Sequence, residues 1–244
     1  LRRHYHKLIT NGCKQGLTKE ILYIILITPL PITVLSKERC LMSIPDKTID
    51  SRILESAREE FLTKSYQEVS LRDICKKAGV TTGALYKRYE NKEALFDALV
   101  EPTLVLIEEY SNQTETFNYN QLEKKDMETV WKNTSHTQNK FIDMIYDNKE
   151  GFLLLLCHSD GTKYHNFLHD FVNMVSSASM KFMNTMCKNG ELEEVIDADE
   201  MHMLLTAYWS TMFEPVIHGL SREQALRHSL MVAKLFDWSA VLGF

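Results

Sequence analysis

Proline and glycine are scarce in this sequence, five and nine among 244 residues. That scarcity argues against a turn-rich β architecture and for long helices. Cysteine lacks any paired pattern: Cys13, Cys40, Cys75, Cys157 and Cys187 are odd in number, scattered, and contain no CxxC. Such usage suits reduced thiols in the cytoplasm better than a disulfide framework or a zinc site. Long apolar runs are also missing. The one candidate, "ILYIILITPLPITVL" at 21–35, is shorter than the roughly 20 residues of a membrane span, and Pro29 and Pro31 break it. A secretory signal would set its apolar core close behind a short basic start and end in small residues. Here mixed residues precede the run and "SKERC" follows it. Met42 is the first methionine, just ahead of the helix-like "SIPDKTIDSRIL". Residues 1–41 are therefore expected to be a non-native upstream extension or a disordered arm, with translation starting at Met42. No membrane partner is expected, and a cytoplasmic location is.

What is present is an uneven charge. Residues 1–41 hold seven Lys/Arg against two Asp/Glu, residues 42–92 ten against eight, and residues 93–244 eleven against 23. A basic end on an acidic body fits a module that meets a polyanion while the body is repelled by it.

Nearly everything after Met42 reads as helix. From Asp46 as N-cap, apolar residues recur at Ile49, Ile53, Leu54, Ala57, Phe61 and Leu62, a helical stripe. Ser70 and Asp73 start a second short helix that ends at Gly79. Thr81 or Thr82 caps a third, running to about Arg88, and Asn91 caps a fourth that Pro102 should kink. Further helices are expected near 121–148, 151–158, 162–189, 199–218 and 221–242. Gly190 closes one of them, Pro215 bends another, and Ser221 with Gln224 forms a capping box. The fold class is all-α, with about nine helices.

Two short helices around a glycine turn, the second capped and rich in polar and aromatic groups, have the form of a helix-turn-helix. A helix that enters a major groove needs a small or hydrogen-bonding face, which Thr81, Thr82, Gly83 and Ala84 supply. Leu85 points back to a core of Ile53, Ala57, Phe61, Leu71 and Ile74. Tyr86 and Tyr89 carry hydroxyls for phosphate oxygens. Lys92, at the start of the next helix, adds an ammonium to its positive end. Lys87 and Arg88 add phosphate contacts or read guanine edges.

The stretch "ILESAREEFLTKSYQEVSLRDICKKAGVTTGALYKRYENKEALFDALV", residues 53–100, resembles the DNA-binding domain of the TetR/AcrR family of transcriptional repressors. The run of an apolar first helix, "SLRDI", "AGVTTGALYKRY" and "NKEAL" carries the likeness. Ser65 replaces the usual glycine before an aromatic residue, and Arg88-Tyr89 replaces a frequent His-Phe or His-Tyr. The resemblance implies DNA contacts from Ser70, Arg72, Thr81, Thr82, Gly83, Ala84, Tyr86, Lys87, Arg88, Tyr89 and Lys92. It also implies a helix-turn-helix domain over 42–92 and a helical regulatory and dimerisation domain over 93–244. The last two helices would pair with those of a second copy, through Leu204, Leu205, Tyr208, Met212, Leu226, Leu230, Ala233 and Leu235.

Ten of the eleven methionines lie between Met127 and Met231, interleaved with aromatic residues. Methionine adapts to varied apolar shapes, so Trp131, Phe141, Phe152, Phe167, Phe171, Met174, Met183, Tyr208 and Met212 are candidate lining for an apolar small-molecule effector. His165 and His169 stand four apart in "CHSDGTKYHNFLHDF", a spacing open to a metal. The sequence fixes no third ligand beside them, so no metal or cofactor is expected. Asp160, Asp170 and these histidines form no diagnostic catalytic set, so no catalytic residue is expected either. The expected function is a ligand-responsive repressor that binds a palindromic operator as a homodimer. The alternatives are a DNA-binding regulator with no small-molecule effector and a helical metal-dependent hydrolase.

Overall fold

A computed structural model of the chain describes residues 47–115 and 134–242. Its elements are α1 (Lys47–Thr63), α2 (Leu71–Ala78), α3 (Thr82–Tyr86), α4 (Lys92–Glu115), α5 (Thr134–Asp147), α6 (Lys149–Cys157), α7 (Phe167–Lys188), α8 (Ala198–Ile217), α9 (Arg222–Leu235) and α10 (Trp238–Leu242). Among the described residues there is no strand. The expectations for Asp46, Met42 and residues 1–41 lie outside the described residues, as does the part before residue 134 of the helix expected near 121–148. The chain divides into two compact units. Among the described residues, one joins 47–107 to 145–168, and the other joins 108–115 and 134–144 to 169–242.

The first unit is built on α1. Ile53, Ala57 and Phe61 repeat every four residues and are fully buried, together with Ile74 and Leu85 from α2 and α3. Leu71, expected in that core, is only half-buried. Ser70 caps α2 by accepting from the Asp73 N–H. Gly79 ends α2 in the left-handed region, φ 65°, where a residue with a Cβ is strained. The Val80 N–H then reaches back to the Cys75 carbonyl at 3.0 Å, the closing bond of a Schellman turn. Asn91 caps α4 through the Ala94 N–H at 2.8 Å, and the helix continues through Pro102. Residues 145–168 complete this unit, so it extends well past residue 92. α6 lies against α1, with Arg58 Nε 3.2 Å from Glu150 Oε2. A Cβ at Gly151 would sit 1.9 Å from Thr103 Oγ1, so glycine sets the close approach of α6 to α4.

α7 begins at Phe167, not near 162. Side chains hold the preceding turn: Thr162 Oγ1 donates to the Ser159 carbonyl (2.7 Å) and accepts from the Tyr164 N–H (3.0 Å). Such local bonds compete with helix. Lys163 bonds Asp97 at 2.6 Å, and burial with the Asp97 charge pushes the Tyr164 phenol up to about 12.

In the second unit, Trp209 is the hub of an aromatic cluster. Its ring centre lies 4.8 Å from Phe141, 4.9 Å from Phe171 and 5.2 Å from Tyr208. α8 and α9 pack on each other. Asp197 caps α8, and Ser221 with Gln224 forms the expected capping box on α9. Gly190 ends α7 at φ 78°, and Pro215 lies inside α8. The expected helix over 221–242 breaks at Phe236 and Asp237. Asp237 Oδ1 takes the Ala240 N–H at 3.2 Å, starting a new turn that buries Trp238 against Tyr208, ring centres 5.7 Å apart.

Candidate nucleic-acid interface

α3 carries the small-residue face. Thr81 caps it, its Oγ1 accepting from the Ala84 N–H at 3.1 Å. Leu85 faces inward with no exposed surface. Thr81, Thr82, Gly83, Tyr86 and Lys87 are exposed and Ala84 half-buried, so the outward side of this helix is small, hydroxylic and basic. At Gly83 the backbone is ordinary helix, and an added Cβ would meet only Thr81 Oγ1, at 3.9 Å. Among the described residues nothing asks for glycine there, although it weakens a helix by roughly 1 kcal/mol relative to alanine.

The larger cations are held by the protein. Arg88 pairs through Nε with Asp50 of α1 and donates from Nη1 to the Ala84 carbonyl at 3.0 Å. This clamps the far end of α3 to α1. Lys92 Nζ donates to the carbonyls of Tyr66 (2.6 Å), Gln67 (3.3 Å) and Val69 (3.1 Å), and lies 4.6 Å from the Tyr66 ring centre. Its three N–H bonds thus have protein acceptors, where the sequence suggested an ammonium aimed at phosphate. Burial pushes the Lys92 pKa below its ordinary value. The carbonyls it binds belong to the turn between α1 and α2, whose Tyr66 ring stacks on Phe61 at 5.8 Å. Ser70 acts as the α2 cap, Arg72 is exposed, and Tyr89 is half-buried.

Two residues of this surface escaped the sequence reading. Arg52 is exposed on α1, and its Nη1 would lie 3.5 Å from a Cβ at Gly79, beside the turn. Its place next to the buried Ile53 was the available signal. Asp50 gave none, because its partner Arg88 is 38 residues away.

The candidate effector residues are drawn from both units. Phe152 and Phe167 belong to the first unit, while Phe141, Phe171, Met174, Met183, Tyr208 and Met212 belong to the second. Trp131 lies outside the described residues. Phe141, Phe171 and Tyr208 meet around Trp209, and Phe213, one turn beyond Trp209, belongs with them. Met183 instead lines a pocket of about 1030 Å³ whose wall includes Leu192, Glu193, Glu194, Asp197 and Glu200. Among the described residues no three of His, Cys, Asp or Glu are placed to hold a metal. Among the same residues no helix is long and apolar enough to cross a membrane.

A family model for bacterial regulatory proteins, tetR family, matches residues 53–99. The Transposon Tn10 TetC protein of Escherichia coli is 30% identical over 107 residues, covering 44% of this chain and 49% of that protein. The HTH-type transcriptional regulator UidR of Escherichia coli K12 is 38% identical over 50 residues, covering 20% and 26%. The chain thus spans half or less of the length of these relatives. The crystal structure of the transcriptional regulator FadR from Bacillus subtilis, in complex with stearoyl-CoA, is similar in fold, with a TM-score of 0.50 at 16% identity, covering 76% of this chain and 96% of that one. Motif and family model agree on residues 53–99, which are similar to the DNA-binding region of the tetR family of bacterial regulatory proteins.

Proposed function

We propose that this chain is a repressor that binds a palindromic operator as a homodimer, in the cytoplasm, and leaves the DNA when a small apolar molecule occupies its second unit. The observation that carries the DNA reading is Gly83, a glycine on an exposed helix face with no internal reason to be there. In this reading α3 enters the major groove, Thr82, Gly83 and Ala84 face the bases, and Thr81, Tyr86, Lys87 and Arg72 meet the backbone and groove edges. Ser70, Arg88, Lys92 and half-buried Tyr89 position the helix. The effector reading rests on the Met-rich, aromatic composition of the regulatory half. Effector and DNA then oppose each other by linkage, each weakening the other by the same factor.

Selection of bound duplexes from a random pool tests the operator. The expected product is an inverted repeat with half-site centres about 10–10.5 base pairs, or a multiple of that, apart. Enrichment of a single unrepeated element would remove the dimeric reading.

Lys92 supplies a second test. Lys92→Met leaves the Tyr66, Gln67 and Val69 carbonyls without their donor and is expected to destabilise the module by about 1–3 kcal/mol, measured by chemical unfolding. The slope of log affinity against log salt should stay as in the parent. A true phosphate contact would lower that slope by about 0.9 per contact.

A further inference from the structure

All four carboxylates of α1 are engaged. Asp50 pairs with Arg88, Glu55 with Arg58 at 2.6 Å, and Glu59 and Glu60 both with Lys77 of α2. Arg58 also reaches Glu150 of α6, and Lys64 shares Glu60. Arg52 stands apart from this set. It is exposed on α1 and has no ion pair or hydrogen bond among the described residues. Glu55, three residues on and within reach on the same helix, is bound to Arg58 instead.

We propose that Arg52 grips a phosphate of the DNA backbone beside the start of α3. The inference rests on the reading of α3 as the helix in the major groove, and adds to it a residue of α1. A Cβ at Gly79 would lie 3.5 Å from Arg52 Nη1, so the guanidinium stands beside the turn that leads into α3. Lys87 lies just past the other end, exposed and likewise with no ion pair among the described residues. α3 has five residues, about 7.5 Å of helix. With a long cationic side chain at each end it matches a major groove about 12 Å wide. Cations in those two places meet the sugar–phosphate edges of the groove, where contacts add affinity and fix orientation but carry no sequence information. The planar guanidinium offers two parallel hydrogen bonds to one phosphate. Arg52 can make them without first breaking a bond inside the protein. Arg58, on the same helix, would have to give up Glu55 and Glu150.

The test is binding against salt for the full chain, with the selected operator and with a random-sequence duplex. The parent is compared with Arg52→Gln, Arg52→Lys, Arg58→Gln and Lys87→Gln. Arg52→Gln should lower the slope of log affinity against log salt by about 0.9 per chain on both duplexes. It should keep the ratio of the two affinities and melt with the parent, because the side chain holds nothing within the described residues. Arg52→Lys keeps the charge and should keep the slope. Arg58→Gln removes the same charge from the same helix and should leave the slope unchanged. A parental slope in Arg52→Gln would overturn the proposal. So would an equal fall in Arg58→Gln, which would show an effect of overall charge with no contact. Lys87→Gln separates this inference from the reading beneath it. A lower slope there beside a parental one in Arg52→Gln overturns the Arg52 contact alone, whereas parental slopes in both overturn the docking of α3 as well.

Discussion

A Gly83→Leu chain is expected to melt where the parent does, or slightly higher, and to lose its selective hold on DNA. The two halves of that expectation have separate causes. Leucine forms helix better than glycine by close to 1 kcal/mol. At this position a Cβ meets only Thr81 Oγ1 at 3.9 Å, an ordinary contact, and the side chain projects from an exposed face. In the groove the same four carbons would hold the α3 backbone away from the base edges. Each good base contact contributes about 1–3 kcal/mol of discrimination, and losing several returns binding to its non-specific level, about 10³-fold weaker or more. Fluorescence anisotropy with the selected duplex and a scrambled one, at a stated salt concentration, reads the ratio directly. Parent-like selectivity in Gly83→Leu would place α3 outside the groove.

The second large effect concerns self-association. The sequence offered Leu205, Tyr208 and Met212 as apolar surface for a partner, but all three are 2% exposed and serve the chain's own core. Leu230 and Leu235, which the sequence also offered, are exposed, Leu235 at 76%, and Met203 and Met231, each 61% exposed, add to that open apolar surface. Met231 and Leu235 stand one turn apart on α9. A Met231→Glu, Leu235→Glu double variant is therefore expected to keep the parent's melting temperature and sediment as a monomer, because burying carboxylates in an apolar interface is costly. Operator affinity should fall by about 10²–10⁴ as the two half-sites cease to be bound jointly. Leu205→Glu, by contrast, should unfold the second unit outright. Sedimentation velocity separates these outcomes, and a dimeric double variant would move the interface off α9.

The helix-turn-helix was legible in the sequence because its signals are local. Ser70, Gly79, Thr81, Asn91 and the α1 stripe each act within about one turn of their own position, and each holds the place expected of it. Less local facts were not legible. The Arg88–Asp50 pair joins residues 38 apart, and Lys92 reaches carbonyls 23 to 26 residues back. Both looked like free cations in sequence because tertiary acceptors leave no periodic trace. The break at Phe236 and Asp237 had the same origin. Burial of Trp238 against Tyr208 overrode a helical pattern that ran on to residue 242. In the second unit, composition marked the aromatic residues, but only the packing of α7 and α8 placed His169 beside His202.

The central claim is that α3 reads bases from the major groove, and inosine substitution in the selected operator tests it most directly. An I·C pair presents the major-groove pattern of G·C and the minor-groove pattern of A·T. Replacing each G·C pair of a half-site by I·C changes only the minor groove, and replacing each A·T pair by I·C changes mainly the major groove. The account predicts that the first series binds like the unmodified operator. The second should lose about 1–3 kcal/mol at contacted positions, as full G·C replacement does. Affinity lost throughout the first series and kept throughout the second would contradict major-groove reading by Thr82, Gly83 and Ala84.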